Sequence, residues 1–203
     1  MQQPQSFLSR LRQSPFVKDA SVLGVALNAR LLFGIVQGLL VARWLGPSSY
    51  GVAVLVMAVP DLLFSIVDVR SGEVTVKYLK EFMGSPEKAA SIFRLGVAVD
   101  IGIATLVVVV VALFGGYVGS LMFKGAADAG LMLLYAVSFP VRSLGSTTSS
   151  VLTVERRWIS ISWLEFSSSA VRLVATLALV ASGAGVRGVI VGNVVYGVVR
   201  GIS

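Results

Sequence analysis

Residues 95–114, "LGVAVDIGIATLVVVVVALF", decide the fold class of this chain. The stretch contains one charged residue, Asp100, and a helix of about 20 apolar residues is long enough to cross the hydrocarbon core of a bilayer. Its valines are poor helix formers in water. In lipid, however, a single segment must satisfy its own backbone hydrogen bonds, and a helix does so. The stretch therefore predicts a transmembrane helix.

The composition of the whole chain agrees with a membrane protein. Hydrophobic residues make up 56% of the 203 residues and charged residues 13%, whereas a soluble domain has about 25% charged residues. The mean hydropathy is +0.87. The chain contains no cysteine and no histidine, so it lacks thiolate metal ligands and the commonest general base. Composition thus disfavours an enzyme.

Six segments are predicted to cross the membrane, as an all-α bundle that forms a single domain over residues 1–203. The predicted spans are 20–42, 52–69, 95–114, 129–152, 159–182 and 186–203. Each is close to the length that a membrane helix needs.

The distribution of Lys and Arg predicts the orientation. The net charge of +7 indicates anchoring beside the membrane rather than nucleic-acid binding. Eleven Lys and Arg residues fall at the two chain ends and in the connectors after the second and fourth spans, against three on the other side. The positive-inside rule then places both termini in the cytoplasm of a multi-pass inner-membrane protein. The first span is expected to act as an uncleaved insertion signal.

Connectors and small residues predict how the helices pack. Residues 43–51 read as a tight hairpin with Gly46 at the turn, and residues 72–82 as a short amphipathic helix lying on the headgroups. Pro60 and Pro140 predict kinks, since each removes a backbone hydrogen bond. Close helix approach is predicted at four glycine pairs: Gly34/Gly38, Gly115/Gly119, Gly188/Gly192 and Gly197/Gly201.

Ionisable residues at membrane depth identify the candidate site. A charge there costs about 3 kcal/mol, so such residues pair or line a wet cavity. Arg30, Arg142 and Arg172 would attract an anion such as pyrophosphate, because guanidinium groups match phosphate oxygens bidentately. Asp61 and Glu165 are assigned to charge balance or ion relay. Private pairing stays open for each, above all between Glu165 and Arg172, which share a helix face.

Other polar residues have more ordinary interpretations. Asp68 and Asp100 lie near predicted span ends and are interpreted as interface residues. The hydroxyl-rich runs 142–152 and 167–169 fit either helix packing or a hydrated lining, because hydroxyls can bond to their own helix backbone.

The segment "VARWLGPSSYGVAVLVMAVPDLLFSIVDVRSGEVTVKYL", residues 41–79, resembles the N-terminal signature of bacterial polysaccharide flippases. These belong to the multidrug/oligosaccharidyl-lipid/polysaccharide exporter superfamily. Later segments are similar to the family's fourth-to-fifth connector and the start of its sixth span: "ERRW" (155–158) and "GAGVRGVIVGNVV" (183–195). The matching elements of the signature are Arg43, Leu45-Gly46-Pro47, Tyr50-Gly51, Asp68 and "VKYL" (76–79).

The resemblance implies translocation of undecaprenyl-pyrophosphate-linked oligosaccharide across the cytoplasmic membrane, through a cationic cavity between two lobes of about six or seven helices each. Six predicted spans correspond to one lobe, so the chain is expected to be a fragment or the N-terminal half of a transporter. The expected partners are that lipid-linked oligosaccharide and membrane lipid. A missing C-terminal lobe or a polysaccharide polymerase is left open as protein partner. No cofactor, metal or nucleic acid is expected.

Three alternatives remain. A drug/cation antiporter of the same superfamily would need a net acidic cavity. A non-transporting membrane scaffold or truncated product would use the buried charges for structure alone. A membrane enzyme acting on polyprenol is disfavoured by the lack of histidine and of an acidic cluster. Because the expected process makes and breaks no bond, the chain is not expected to be an enzyme.

Overall fold

The computed structural model describes residues 15–67, 71–82, 84–123, 129–155 and 157–202, and these are helical apart from short turns. This confirms the predicted all-α class. Asp68, predicted as an interface residue, lies outside the described residues. The helices are α1 (Pro15–Val67), α2 (Ser71–Glu81), α3 (Pro86–Phe123), α4 (Ala129–Ala136), α5 (Phe139–Val154), α6 (Trp158–Leu179) and α7 (Gly185–Ile202). A π-helical turn (Val180–Ala184) joins α6 to α7.

Three helical stretches are long and apolar enough to cross a membrane. They are Leu27–Val67, Pro86–Leu121 and Trp158–Ile202, with hydropathies of 2.1, 2.8 and 1.8. In their most apolar windows only 17%, 22% and 28% of the residues are buried inside the bundle. Most of the apolar surface therefore faces outward, as it must when lipid rather than water surrounds the protein.

The first of these stretches folds back on itself at Gly46, the non-helical residue inside α1 (φ 77°, ψ 160°). The hydroxyl of Tyr50 lies 3.1 Å from where a Cβ on Gly38 would be. Twelve residues of straight helix would separate these residues by about 18 Å, so α1 is a hairpin of α1a (residues 15–45) and α1b (residues 47–67). The predicted hairpin is confirmed. Pro47 follows the turn directly, where a helix needs no N–H donor.

A second hairpin turns at Gly183 (φ 88°) between α6 and α7. A Cβ on Gly192 would lie 2.8 Å from Cα of Thr176, and one on Gly188 would lie 3.0 Å from the carbonyl carbon of Leu179. Helices can approach this closely only where side chains are absent. The predicted close approach is thus confirmed at Gly188/Gly192.

The other glycine pairs behave differently. Gly201 packs against the backbone of Val141 and Gly197 against the side chain of Ser138, so this pair also permits close contact. Gly34 and Gly38 instead make room for the side chains of Arg172 and Tyr50. At Gly115 the nearest described side chain belongs to its own helix, and close approach of another helix at Gly115/Gly119 stays a prediction.

The fourth apolar segment is divided into α4 and α5 by a turn at Val137 and Ser138. Pro140 has no N–H to donate to the carbonyl of Ala136 in the preceding helical turn. At the turn itself, the Ser138 hydroxyl donates to the carbonyl of Tyr135 at 2.7 Å. The predicted interruption is confirmed here. At Pro60 α1b continues with helical dihedrals.

The polar segment after α1b contains more helix than expected. Helix α2 is present as predicted, but its inner face is buried: Thr75 packs against Gly96 and lies beside Thr147. It therefore packs on α3 and α5, not on headgroups alone. Helix α3 exceeds the predicted span 95–114 at both ends, because apolar composition marks the hydrocarbon core rather than the helix ends.

Candidate functional site

A cavity of about 340 Å³ lies among α1, α3, α5 and α7. Below it is a hydrophobic cluster that includes Val107, Met132, Phe139 and Ile190. Phe139 belongs to both, so the polar cavity begins where the apolar packing ends. The cavity is lined by Arg30, Asp61, Phe64, Asp100, Phe139, Arg142, Ser143, Ser146, Ser149, Tyr196 and Arg200.

Asp61 and Arg142 face each other across this cavity. Oδ1 of Asp61 lies 3.6 Å from Nη1 of Arg142, and the side chains keep exposed fractions of 49% and 39%. The hydroxyl of Tyr135 donates to both carboxylate oxygens, at 3.2 and 3.1 Å. Tyr135 thus fixes the position of the Asp61 carboxylate. The Asp61–Arg142 ion pair is long, and both side chains remain accessible to a ligand in the cavity.

Glu165 holds two arginines from behind the cavity. Its Oε2 lies 3.2 Å from Nη1 of Arg30 and its Oε1 lies 2.5 Å from Nη2 of Arg200. The Glu165 side chain is 7% exposed and that of Arg30 is 39% exposed. The carboxylate is therefore hidden, while the guanidinium of Arg30 still faces the open space.

Asp100 and the α5 hydroxyls form another wall. The hydroxyl of Thr147 donates to Oδ2 of Asp100 at 2.6 Å, and both side chains are buried. Asp100 therefore faces the interior of the bundle, so its interpretation as a side chain that reaches the headgroups is wrong. Ser143 and Ser149 donate to carbonyls of their own helix at 2.8 and 2.7 Å. Ser149 Oγ also accepts from Nη2 of Arg200 at 3.4 Å, so each oxygen can face the cavity only as an acceptor.

The structure brings Arg30, Arg142 and Asp61 into one cavity but places Arg172 beside it. Arg172 does not line the cavity; it lies over the Tyr196 ring, 5.2 Å from the centroid. Arg142 lies 5.9 Å from the same centroid. The considered pairing of Glu165 with Arg172 is not found, because Glu165 pairs with Arg30 and Arg200.

Sequence reasoning missed Tyr135, Tyr196 and Arg200. Arg200 was counted as an interface anchor because it lies near the chain end, yet its side chain is 16% exposed and points to Glu165. One signal was available: Tyr196 and Arg200 are four residues apart and share a helix face. That spacing is typical of a polar stripe facing inward.

More positive than negative side chains are accessible from the cavity. Arg30 and Arg142 are each 39% exposed, whereas of the carboxylates Asp61 is open and Asp100 is buried. Two accessible guanidinium groups against one accessible carboxylate suit an anionic group with several oxygen atoms. In the part of the chain that the structure describes, no three acidic side chains come together to hold a metal ion.

Comparison with protein families gives one finding. The model of a family described as "polysaccharide biosynthesis protein" matches residues 40–203. Asp61, Arg142, Glu165, Arg172 and Arg200 lie within the matched range, and Arg30 lies before it. Neither the curated proteins nor the solved structures gave a significant match.

Proposed function

Because this chain belongs to the polysaccharide biosynthesis protein family, we propose that it is the N-terminal lobe of a flippase of the multidrug/oligosaccharidyl-lipid/polysaccharide exporter superfamily. Its substrate is undecaprenyl-pyrophosphate-linked oligosaccharide, which it helps to move across the cytoplasmic membrane. The process breaks no bond, so the protein is not an enzyme. A C-terminal lobe or a polysaccharide polymerase completes the assembly.

The observation that carries this proposal is that Arg30 and Arg142 face one cavity, whereas Glu165, the carboxylate that pairs with Arg30, is buried behind it. Pyrophosphate oxygens accept paired hydrogen bonds from guanidinium groups. The 3.6 Å contact of Arg142 with Asp61 is long for an ion pair, so it exchanges readily for a phosphate. Asp61 then balances charge when the cavity is empty.

The opposite wall suits the sugar end of the substrate. Ser143, Ser146 and Ser149 lie on α5, and Tyr196 lies on α7. Ser143 and Ser149 already donate to their own helix, so they offer acceptor oxygens to the hydroxyl groups of a sugar. This wall therefore holds the first sugars while the arginines hold the pyrophosphate.

Six spans with both termini in the cytoplasm fit this function. The reversals at Gly46 and Gly183 divide two of the long helical stretches into hairpins, and α4 with α5 contributes the remaining crossing beside α3. In this orientation Asp100, Ser149 and Arg200 lie in the cytoplasmic half. This part of the cavity wall then lies in the half of the membrane next to the cytoplasm, where the lipid-linked oligosaccharide is made.

Thiol labelling tests anion binding in the cavity. The natural chain has no cysteine, so Ser146→Cys introduces one thiol at an exposed lining position. Inorganic pyrophosphate is expected to slow its modification by a small maleimide several-fold. Arg142→Gln and Arg30→Gln remove this protection, whereas Arg94→Gln, an exposed arginine elsewhere on α3, keeps it. A thiol that does not react, or protection that survives both cavity substitutions, would contradict the proposal.

Complementation tests translocation itself. The gene is expected to restore surface polysaccharide in a bacterium lacking the corresponding exporter, together with any second lobe that the assembly needs. Arg142→Gln abolishes the restoration, and Arg94→Gln retains it. Equal restoration by both variants would show that the guanidinium group has no part in export.

A further inference from the structure

A second, smaller pocket of about 210 Å³ lies between the α1 hairpin and helices α6 and α7. We propose, resting on the function above, that it binds the phosphate–sugar junction of a glycosylated lipid phosphate after it leaves the larger cavity. Tyr196 connects the two sites, since the guanidinium groups of Arg142 and Arg172 both lie over its ring. The pocket is lined by Gly34, Gln37, Gly38, Val41, Tyr50, Val54, Met57, Arg172, Val189 and Asn193.

Arg172 supplies the positive charge that would bind an anion in this pocket. Its Nε is buried and has no hydrogen-bond partner. Among the residues that the structure describes, no carboxylate lies within ion-pair distance of Arg172, in contrast to Arg30, Arg142 and Arg200. Stacking on Tyr196 stabilises the guanidinium group in part. A partly buried cation without a counter-ion is costly at membrane depth, and a phosphate oxygen at the buried Nε would supply the missing partner.

Gln37 supplies the specificity for a hydroxyl group. The residue is 8% exposed, and its Nε2 donates to Thr176 Oγ1 at 3.4 Å. Its Oε1 is buried without a partner. Asn193 uses Nδ2 to donate to the carbonyl of Val189 at 2.8 Å, which leaves its Oδ1 as an acceptor. Two amide acceptors beside one guanidinium match a ligand with both O–H donors and an anionic oxygen.

An apolar groove of about 520 Å³ adjoins this pocket and indicates that the ligand is a lipid. The groove and the pocket share Gly34, Gly38, Tyr50 and Arg172. Away from Arg172 the groove continues along exposed apolar side chains of α1a: Leu31, Ile35 and Leu39. A lipid chain in this groove places its phosphate at Arg172 and its first sugar beside Gln37.

The position of the smaller pocket suits a binding site near the outer side of the membrane. Val41, Ala53, Val180 and Val189 pack together near the hairpin turns at Gly46 and Gly183, and the pocket lies next to this cluster. In the proposed orientation that end is the outer one. A headgroup released by Arg142 therefore meets Arg172 on its way outward.

A single thiol inside the pocket tests the inference in the full chain. Val54→Cys leaves Gln37, Arg172 and Asn193 intact. Glucose 1-phosphate is expected to slow modification of this thiol several-fold, inorganic phosphate to slow it less, and glucose to leave it unchanged. Adding Gln37→Met, which keeps the side-chain length, should reduce the protection by glucose 1-phosphate to that of inorganic phosphate. Adding Arg172→Gln should abolish protection by glucose 1-phosphate and by inorganic phosphate. Adding Arg94→Gln should leave both kinds of protection unchanged.

The same preparations separate this inference from the proposed function. Pyrophosphate protection of the Ser146→Cys thiol should persist when Gln37→Met is added. If it persists while the Val54→Cys thiol is never protected, or never reacts, the second site is refuted and the larger cavity stands. Equal protection by glucose 1-phosphate and inorganic phosphate refutes the sugar contact. Loss of protection at both thiols refutes the proposed function as well.

Discussion

Glu165 and Arg200 are joined across α6 and α7 by a 2.5 Å contact between Oε1 and Nη2. The other oxygen of this buried carboxylate meets Arg30 of α1a at 3.2 Å. One carboxylate thus connects three helices and neutralises two arginines only in part. Its position behind the cavity makes the cavity-facing guanidinium groups both fixed and incompletely paired.

Glu165→Gln is expected to destabilise the bundle strongly. Removing one partner of a buried ion pair leaves uncompensated charge and costs about 3–5 kcal/mol, and here two arginines lose their counter-ion. The thermal unfolding midpoint in detergent should fall clearly. Glu87→Gln, on the exposed start of α3, is the matched control and should leave it unchanged. Equal midpoints for the two variants would show that the three-helix contact is not structural.

Asp61→Asn is expected to raise the affinity of the cavity for pyrophosphate. The substitution frees Arg142 from its competitor at 3.6 Å, while the amide oxygen still accepts from Tyr135. The pyrophosphate concentration that half-protects the Ser146→Cys thiol should fall several-fold. A higher half-protecting concentration would mean that Asp61 holds Arg142 in its binding position rather than competing with the ligand.

Gly192→Leu is expected to separate α6 from α7. A Cβ at this position would lie 2.8 Å from Cα of Thr176, and overpacking of this kind costs about 1–3 kcal/mol. The control is Gly102→Leu on α3, because nothing lies within 4 Å of a Cβ there. The thermal midpoint should fall for the first variant alone. Unchanged stability of Gly192→Leu would refute the close helix contact.

Gly46→Ala is expected to strain the α1 hairpin. Its dihedral angles, φ 77° and ψ 160°, are essentially restricted to glycine, and a side chain there costs about 1–3 kcal/mol. Gly51→Ala provides the comparison, since it lies in the helical part of α1b with open space around it. Thermal unfolding should distinguish the two, with only Gly46→Ala destabilising; the same midpoint for both would argue against the turn.

Local chemistry predicted the backbone well where a single residue dictates it. Gly46 marks the hairpin, Pro140 follows the helix break, and Gly192 permits close contact, because each depends on the presence or absence of a side chain or an N–H. The sequence likewise placed Arg30, Arg142 and Asp61 at a shared interior. These features need no knowledge of neighbouring helices.

The direction in which a side chain faces within the bundle was not predictable in the same way. Asp100 was assigned to the interface because it lies near the span start at residue 95, yet its side chain is buried and accepts a hydrogen bond from Thr147 of α5. Arg172 shares a face with Glu165 but lies over Tyr196 rather than in the cavity. Such positions depend on how α6 and α7 rotate against each other, which residue spacing alone does not determine.

The two glycine turns add almost no chain beyond the helices that they join. Gly46 is followed at once by helix, and five residues suffice at Val180–Ala184. Antibodies, phage and extracellular proteases recognise protruding loops, and these hairpins offer them very little. If these turns face the outside of the cell, this part of the molecule is poorly visible to immune surveillance, and affinity tags for surface detection would have to be placed elsewhere.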